Sequence, residues 1–471
     1  MRWTSYMTSF IGFDVMWALA SLVVLTTLIS HTIASNEVPA AAIDREQDFL
    51  YSKRTPSGTE VTAIDTITYV VLQDNIAQNG SSKFPQTDRR AAQIAAKDYL
   101  LRKLAKPRGK LQHTHLRYRL LTALHGFKHY QEVALSNIQR KRDLYGNVSR
   151  GEKSILEPTV GYQSKLDTAE RLIRENGRIA SAIVDHALEF YSVSFLELVT
   201  FEKDHMSDAT ISDHTSVVQA LKHIVRDWSD DGIEEREAAF PQIIESLTEY
   251  FPQRDGEGVQ ILVPGSGLGR LSHDISGLGG FDVTSNEWSM YMNLAYRYIV
   301  TQGAKNQASL YPYIDSWSHH SSTTELQRVV TFPDKPIISD QVLHVEGDFT
   351  REFTKNGSAF DVVTTLFFID TARNLLRYFE TIKTALKPGG LWINVGPLLY
   401  GSAPFIELSL DEILAVCKVM GFEFIQTDNR WGNLTIPGET PRGKEARYGL
   451  SPRSLSKNAY EVQFWVARRK L

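Results

Sequence analysis

One cysteine in 471 residues, Cys417, leaves this chain unable to close an intramolecular disulfide, build a multi-cysteine zinc site or run a dithiol redox cycle. That scarcity favours a reducing compartment, with the cytosol or the nucleus to be expected. Net charge is nearly absent too: 51 basic against 55 acidic side chains leave −4, so no global field draws the chain to nucleic acid, and a small molecule becomes the default partner. Long apolar runs are missing but for residues 15–29, fifteen uncharged positions rich in Val, Leu, Ala and Thr. This run is shorter than the roughly 18 to 20 residues of a spanning helix, Asp14 fronts it, and Arg2 is the one nearby cation before it. A signal-peptide core, a membrane anchor and an unstructured extension all stay open, and the linker to residue 60, with Pro39, Pro56 and Gly58, would keep the segment mobile. Internal repeats are lacking. No pairing of histidines with carboxylates suggests a metal, and none is expected.

What is present is an average globular composition, 42% hydrophobic, 10% aromatic and 23% charged, with length for two or three domains. Between residues 88 and 145 apolar residues recur at helical spacing, interrupted near 107–109, and further helical runs cover 166–201 and 216–251, the last broken by a turn at 229–232. After Gly258 the pattern changes. Short apolar runs at 259–263, 281–284, 342–345, 360–367, 391–395, 422–426 and 460–466 alternate with helical patterns at 288–300, 371–386 and 410–420, which predicts a doubly wound, mostly parallel sheet. The expected organisation is an extension over 1–60, a helical cap over 85–255 and a nucleotide-binding domain over 256–471. Two irregular stretches, 310–340 and 430–456, read as decorations, and Pro437, Gly438, Pro441 and Gly443 make the second a lid rather than core.

Gly265, Gly267 and Gly269 lie between the first strand and a helix starting near Leu271, where a doubly wound sheet binds its ligand. Glu287 follows Gly265 by 22 residues, near the end of the second strand, where a carboxylate accepts hydrogen bonds from ribose hydroxyls. A dinucleotide loop would place its third glycine at 270, which is Arg270, so the pattern fits S-adenosylmethionine better than NAD. After the third strand, Asp348 is placed to meet an adenine amino group and Phe349 to stack on the ring. A plain strand-to-helix turn is the alternative reading of the glycines.

These residues also carry a resemblance. Segments 261–271, 286–289, 347–349, 367–372 and 386–400, together with Val225, Arg226, Asp227, Trp228 and Ser229, closely resemble the carnosine N-methyltransferase (N2227-like) family, over about residues 123–469. The resemblance implies a class I methyltransferase fold, with a seven-stranded, mostly parallel, Rossmann-like sheet behind an N-terminal helical region. It also implies methyl transfer from S-adenosylmethionine to the imidazole of carnosine, giving anserine. Carried over by motif, the cofactor residues would be His223, Arg226, Gly265, Gly267, Glu287, Asp348, Phe349 and Leu366, with Arg226 clamping the methionine carboxylate; the family usually has Gln at His223. For Arg226 a salt bridge to Asp227 or Asp231 is the plainer alternative.

Asp370 is the expected catalytic and substrate-binding residue. By accepting one imidazole N–H it would leave the other nitrogen unprotonated and aimed at the methyl, although it could also cap a helix starting at Thr371. Tyr400 and Tyr460 are further candidates for the acceptor pocket. The sequence departs from the family at Gly401, where a histidine that helps to bind the dipeptide is usual, so a related histidine-containing peptide, a protein histidine or another acceptor stays open, as does a cofactor-binding scaffold without turnover. A homodimer and association of the N-terminus with a membrane also remain open.

Overall fold

Leucine and β-branched residues between Gly258 and Gly265 form β1 (Val259–Pro264), the strand around which the second half of the chain is wound. The computed structural model describes residues 86–471 apart from 206–210, 255–257, 355–357, 402 and 450–452, so the apolar segment 15–29 and its linker lie outside the described residues. After β1 come β2 (Phe281–Glu287), the short β3 (Ala308–Leu310) and β4 (Val330–Phe332), β5 (Leu343–Glu346), β6 (Phe360–Leu366), β7 (Leu386–Gly396), β8 (Phe422–Ile425), β9 (Asn433–Leu434), β10 (Arg442–Arg447) and β11 (Ala459–Arg469). The helices are α1 (Gln86–Lys103), α2 (Leu116–Tyr145), α3 (Arg150–Val160), α4 (Tyr162–Phe190), α5 (Phe195–His205), α6 (Ile211–Trp228), α7 (Ile233–Tyr250), α8 (Arg270–Gly277), α9 (Met290–Ile299), α10 (Leu375–Ala385) and α11 (Leu410–Val419), with one-turn helices at Thr323–Leu326 and Phe349–Glu352.

The main sheet runs β5-β2-β1-β6-β7-β11, and β8 and β10 divide the far edge of β11 between them. The first five strands are parallel, with β1 and β2 in register from Val259↔Phe281 to Pro264↔Asn286, while β11 is antiparallel to β7. This is the class I methyltransferase arrangement that the resemblance implies, with one correction: the sheet has nine strands rather than seven. The additional two, β9 and β10, come from the stretch expected to be a lid. In β10 only Gly443 and Ala446 are buried, residues too small and wrongly spaced to give the alternation of large apolar side chains that marks a strand in sequence. The other irregular stretch holds β4, which pairs with β3 at its start, Ala308↔Phe332 to Leu310↔Val330.

Along β1 and β7 alternate side chains enter different cores. Ile261, Val263, Ile393 and Val395 meet α7 and α8 on one face, and Leu262 and Trp392 meet α10 and α11 on the other. A third core joins the helical region to α9 and to the β3–β4 pair through Leu120, Phe127, Val225, Trp228, Leu294 and Phe332. Each of these large side chains contributes about 1.5–3 kcal/mol through burial. Helix α3 is absent from the sequence reading because it buries none of its residues; a Ser149–Glu152 capping box starts it and Gly161, at φ +57°, ends it. The run expected over 166–201 is two helices, parted where Ser192 takes φ +52°. No single described helix is long and apolar enough to cross a membrane.

A charge at Ala446, fully buried in β10, separates a sheet strand from a lid. Ala446→Glu is expected to destabilise the protein by about 2–4 kcal/mol in urea unfolding; a lid would tolerate it without change in midpoint.

Candidate active site

The loop after β1 turns sharply enough to need its glycines. Gly265 (φ +62°) would drive a Cβ to 2.2 Å from the Phe368 ring, and Gly269 (φ +78°) to 2.6 Å from that of Tyr296. Two side chains fasten this loop. Glu287, at the end of β2, accepts the Gly267 N–H through Oε2 at 2.8 Å and the Trp288 and Ser289 N–H groups through Oε1, each at 2.8 Å. Burial pushes its carboxyl above the ordinary range, and these donors and Arg226 pull it only part of the way back. From α6, Trp228 donates its indole N–H to the Leu268 carbonyl at 2.8 Å, and Asp227 accepts the Leu268 N–H at 3.3 Å.

Arg226 lies against the loop, its Nη2 3.3 Å from where a Cβ on Gly267 would be. The salt bridge and the place beside the glycine loop, read from the sequence as alternatives, are both present: Arg226 donates Nε to Asp227 Oδ1 at 2.6 Å and Nη2 to Oδ2 at 3.1 Å. Burial opposes the guanidinium charge, but Asp227 outweighs it and holds Arg226 above its ordinary value. One turn earlier, His223 donates Nδ1–H to the Gln219 carbonyl at 2.7 Å; burial and the Arg226 charge bring its pKa down to about 4, so its Nε2 is an acceptor at neutral pH. Arg270, at the third-glycine position, is a structural link: it reaches the Asp227 carbonyl at 2.8 Å and Asp334 at 2.5 Å, and Arg236 meets the other oxygen of Asp334 at 2.6 Å.

Between α6, α7 and the carboxyl ends of β1, β2 and β6 these groups enclose a cleft of about 290 Å³. Of the residues read from the sequence, His223, Arg226, Gly265, Gly267, Glu287 and Leu366 line it. Asp348 and Phe349 do not. Asp348 caps its own one-turn helix, its Oδ1 accepting the Thr350 N–H at 2.9 Å while the side chain stays 37% exposed, and Phe349 is 3% exposed, its ring nearly perpendicular to those of Phe368 and Tyr378. Among the lining residues that sequence reasoning missed, Tyr448 stacks at 5.1 Å on Phe367 with its centroid 6.0 Å from the Arg226 guanidinium. Only the pairing of β10 with β11 brings it there, and no local motif marks it.

Phe367 follows β6 with φ +49°, a conformation costly for a bulky residue, and donates its N–H to the Val395 carbonyl at 2.9 Å. The reversed chain then enters a short 3-10 turn that carries Asp370, 7% exposed, directly before the lining residue Thr371. Asp370 is not the cap of the next helix; Asn374 is, accepting the Arg377 N–H at 3.2 Å. The Asp370 carboxylate accepts instead the Leu399 N–H at 3.2 Å, and burial pushes its pKa up to about 6 despite that bond. Its charge reaches Tyr400 and Tyr460, whose phenols burial and this charge hold above the ordinary value. The Tyr400 hydroxyl is spent on the Leu408 carbonyl at 2.7 Å, while Tyr460 packs edge-on against Phe367 and Tyr448. Asp370, Tyr400 and Tyr460 thus form a second group beside the cleft rather than part of its lining.

A family model described as carnosine N-methyltransferase matches residues 203–471. The chain is 31% identical to the carnosine N-methyltransferase of Schizosaccharomyces pombe over 377 residues, covering 74% of this chain and 95% of that protein. To the Mus musculus protein of the same name it is 30% identical over 358 residues, covering 74% and 84%.

Gly265→Ala combines an unfavourable φ with a ring contact that cannot open without moving Phe368. A loss of about 2–4 kcal/mol in denaturant unfolding is expected, and an effect below about 0.5 kcal/mol would show that the loop has room to relax.

Proposed function

The chain belongs to the carnosine N-methyltransferase family, and we propose that it moves a methyl group from S-adenosylmethionine to an imidazole nitrogen of carnosine or a related histidine-containing peptide, anserine being the product with carnosine. The observation that carries the reading is Asp370: a buried carboxylate at the carboxyl end of the sheet, pushed up to about 6, one residue from the cleft. Such a group has few internal partners to stabilise its charge, as expected of one that receives an N–H from a substrate.

Residues of the cleft fit the donor in kind. Glu287 offers carboxylate oxygens to a ribose, the Gly265–Gly267 backbone leaves room for close approach, and Arg226 offers the remaining nitrogen of its guanidinium to a carboxylate. Bound there, S-adenosylmethionine supplies an electrophilic methyl on a sulfonium. Asp370 accepts the N–H of one acceptor nitrogen, fixes the tautomer in which the other carries the lone pair, and balances the positive charge that develops on the ring. Tyr460 packs edge-on to Phe367, which lines the cleft. The proton on the methylated ring leaves to solvent after transfer.

Asp370 must be ionised to act, so kcat/KM falls as pH drops through about 6, where the acceptor imidazole also gains its proton. Stability moves the other way. A carboxyl whose pKa is higher folded than unfolded contributes fully below its unfolded value of 3.8 and loses that contribution as pH rises through about 6. Asp370→Asn therefore abolishes turnover while raising stability at pH 7 by on the order of 1–3 kcal/mol, read by mass spectrometry of the product and by thermal unfolding. Methylated carnosine formed at the wild-type rate by the variant would remove Asp370 from the reaction. Donor binding by calorimetry without any methylated dipeptide from the wild type would point to a protein histidine, another acceptor or a scaffold.

A Cβ at Gly401 meets nothing within 4 Å, so the position has space for the histidine usual in the family. Gly401→His is expected to fold normally and to lower KM for carnosine by about tenfold, or 1.4 kcal/mol, with kcat unchanged; an unchanged KM would show that the dipeptide is held elsewhere.

A further inference from the structure

His125 and His129 stand one turn apart on α2, so their imidazoles share a face. Against that face α5 brings Glu202, 77 residues beyond His125, a separation that no local spacing rule for metal ligands spans. His125 Nδ1 lies 3.0 Å and His129 Nε2 3.3 Å from the same oxygen, Glu202 Oε1, and the three donor atoms are all within 4.8 Å of one another. Separations of about 3.0–3.3 Å are the edges of a coordination shell with metal–ligand distances of roughly 2.0–2.2 Å.

The contact outside His129 agrees with this arrangement. Glu132 Oε2 lies 2.8 Å from His129 Nδ1, the carboxylate–histidine contact that fixes a metal-bound imidazole with its Nε2 lone pair directed away from the carboxylate. With one proton on Nδ1, a neutral His129 would present that lone pair to a carboxylate oxygen, which is repulsive unless a second proton or a cation lies between them. His125 is only 4% exposed at its side chain, and its Nε2 is buried without a hydrogen-bond partner, so coordination through Nδ1 leaves an Nε2–H with no acceptor, a cost that the metal–ligand bonds must exceed. Glu202 Oε2 is held by Lys128, so the carboxylate can offer Oε1 alone.

We propose that His125, His129 and Glu202 form a binding site for a divalent transition ion of the zinc class, fastening α5 to α2. His125 Nδ1, His129 Nε2 and Glu202 Oε1 donate the three protein lone pairs, and water takes the fourth position. Coordination requires both donor nitrogens to be free of protons: the one proton of His125 then sits on Nε2 and that of His129 on Nδ1, facing Glu132, and any second proton on either ring leaves to solvent. Lys128 competes by drawing charge from Glu202, and Glu132 supports by orienting His129.

Equilibrium dialysis of the full-length chain, stripped with a chelator and then exposed to zinc alone, tests this directly. One zinc per chain is expected, and cobalt in its place should give the visible bands of a four-coordinate ion. His129→Ala and Glu202→Gln should each remove that equivalent, Glu132→Ala should weaken it about tenfold, and Lys128→Met should tighten it. Because replacing the buried His125 also perturbs the core, the partly exposed His129 decides, with far-ultraviolet circular dichroism as the folding control. Equal zinc retention by wild type and His129→Ala, or no retention by either, overturns the site and leaves the cluster a histidine–carboxylate hydrogen-bond network.

Discussion

Asp334 receives Arg236 on one carboxylate oxygen and Arg270 on the other, and the position of the cleft depends on this contact. All three side chains are at most 10% exposed. A buried ionic triad adds little net stability, since the cost of desolvation offsets most of the attraction, but losing one member would strand a charge at a cost of about 3–5 kcal/mol. Its value is geometric. Arg236 also holds the Arg226 and Ser229 carbonyls, and Arg270 the Asp227 carbonyl, so the end of α6 is pinned to the first turn of α8 and to the stretch after β4. The segment from Arg226 to Ser229 therefore lies over the glycine loop in one register, with the Trp228 indole on the Leu268 carbonyl as a further constraint.

On the other side, the cleft stores charge and strain that the surrounding cores hold in place. Glu287 and Asp370 are carboxyls with raised pKa values, one at β2 and one after β6, differing in what satisfies them: three backbone N–H groups for Glu287, against the Leu399 N–H and its own for Asp370. Phe367 is kept at positive φ between them, where packing against Tyr448 and the bond to Val395 over-determine it. A carboxylate held in place by three donors, with acceptor capacity still left, suits a fixed binding contact, and one with fewer donors suits a partner that arrives with its own N–H.

Much of this was legible in the sequence because it follows from local rules. The parallel strands appeared as short apolar runs, the glycine loop as a cluster between strand and helix, and Glu287 as an acid at the next strand end, since backbone geometry ties a loop's function to its immediate neighbours in the chain. Arg226 and Asp370 were found through motifs. Asp348 and Phe349 come from the same motifs; that Phe349 also packs against Phe368 and Tyr378 depends on residues arriving from elsewhere, which the motif alone does not show.

Tertiary structure alone decided what pairs across distance. Strand β10 has almost no apolar alternation and forms because β11 offers it an edge; with it come Tyr448 and Arg447 to the cleft. Asp334 and Glu202 gained their partners 64 to 98 positions away in the chain, and no spacing rule connects them to Arg270 and Arg236 or to His125 and His129. The sequence by itself determined the order of elements, the glycine loop and the identities of its charged residues, because these rest on steric limits and periodicity within a few residues. Which of those charges are buried, paired or left short of partners was decided only when the helices closed over the sheet, because solvation and Coulomb energies depend on distance through space.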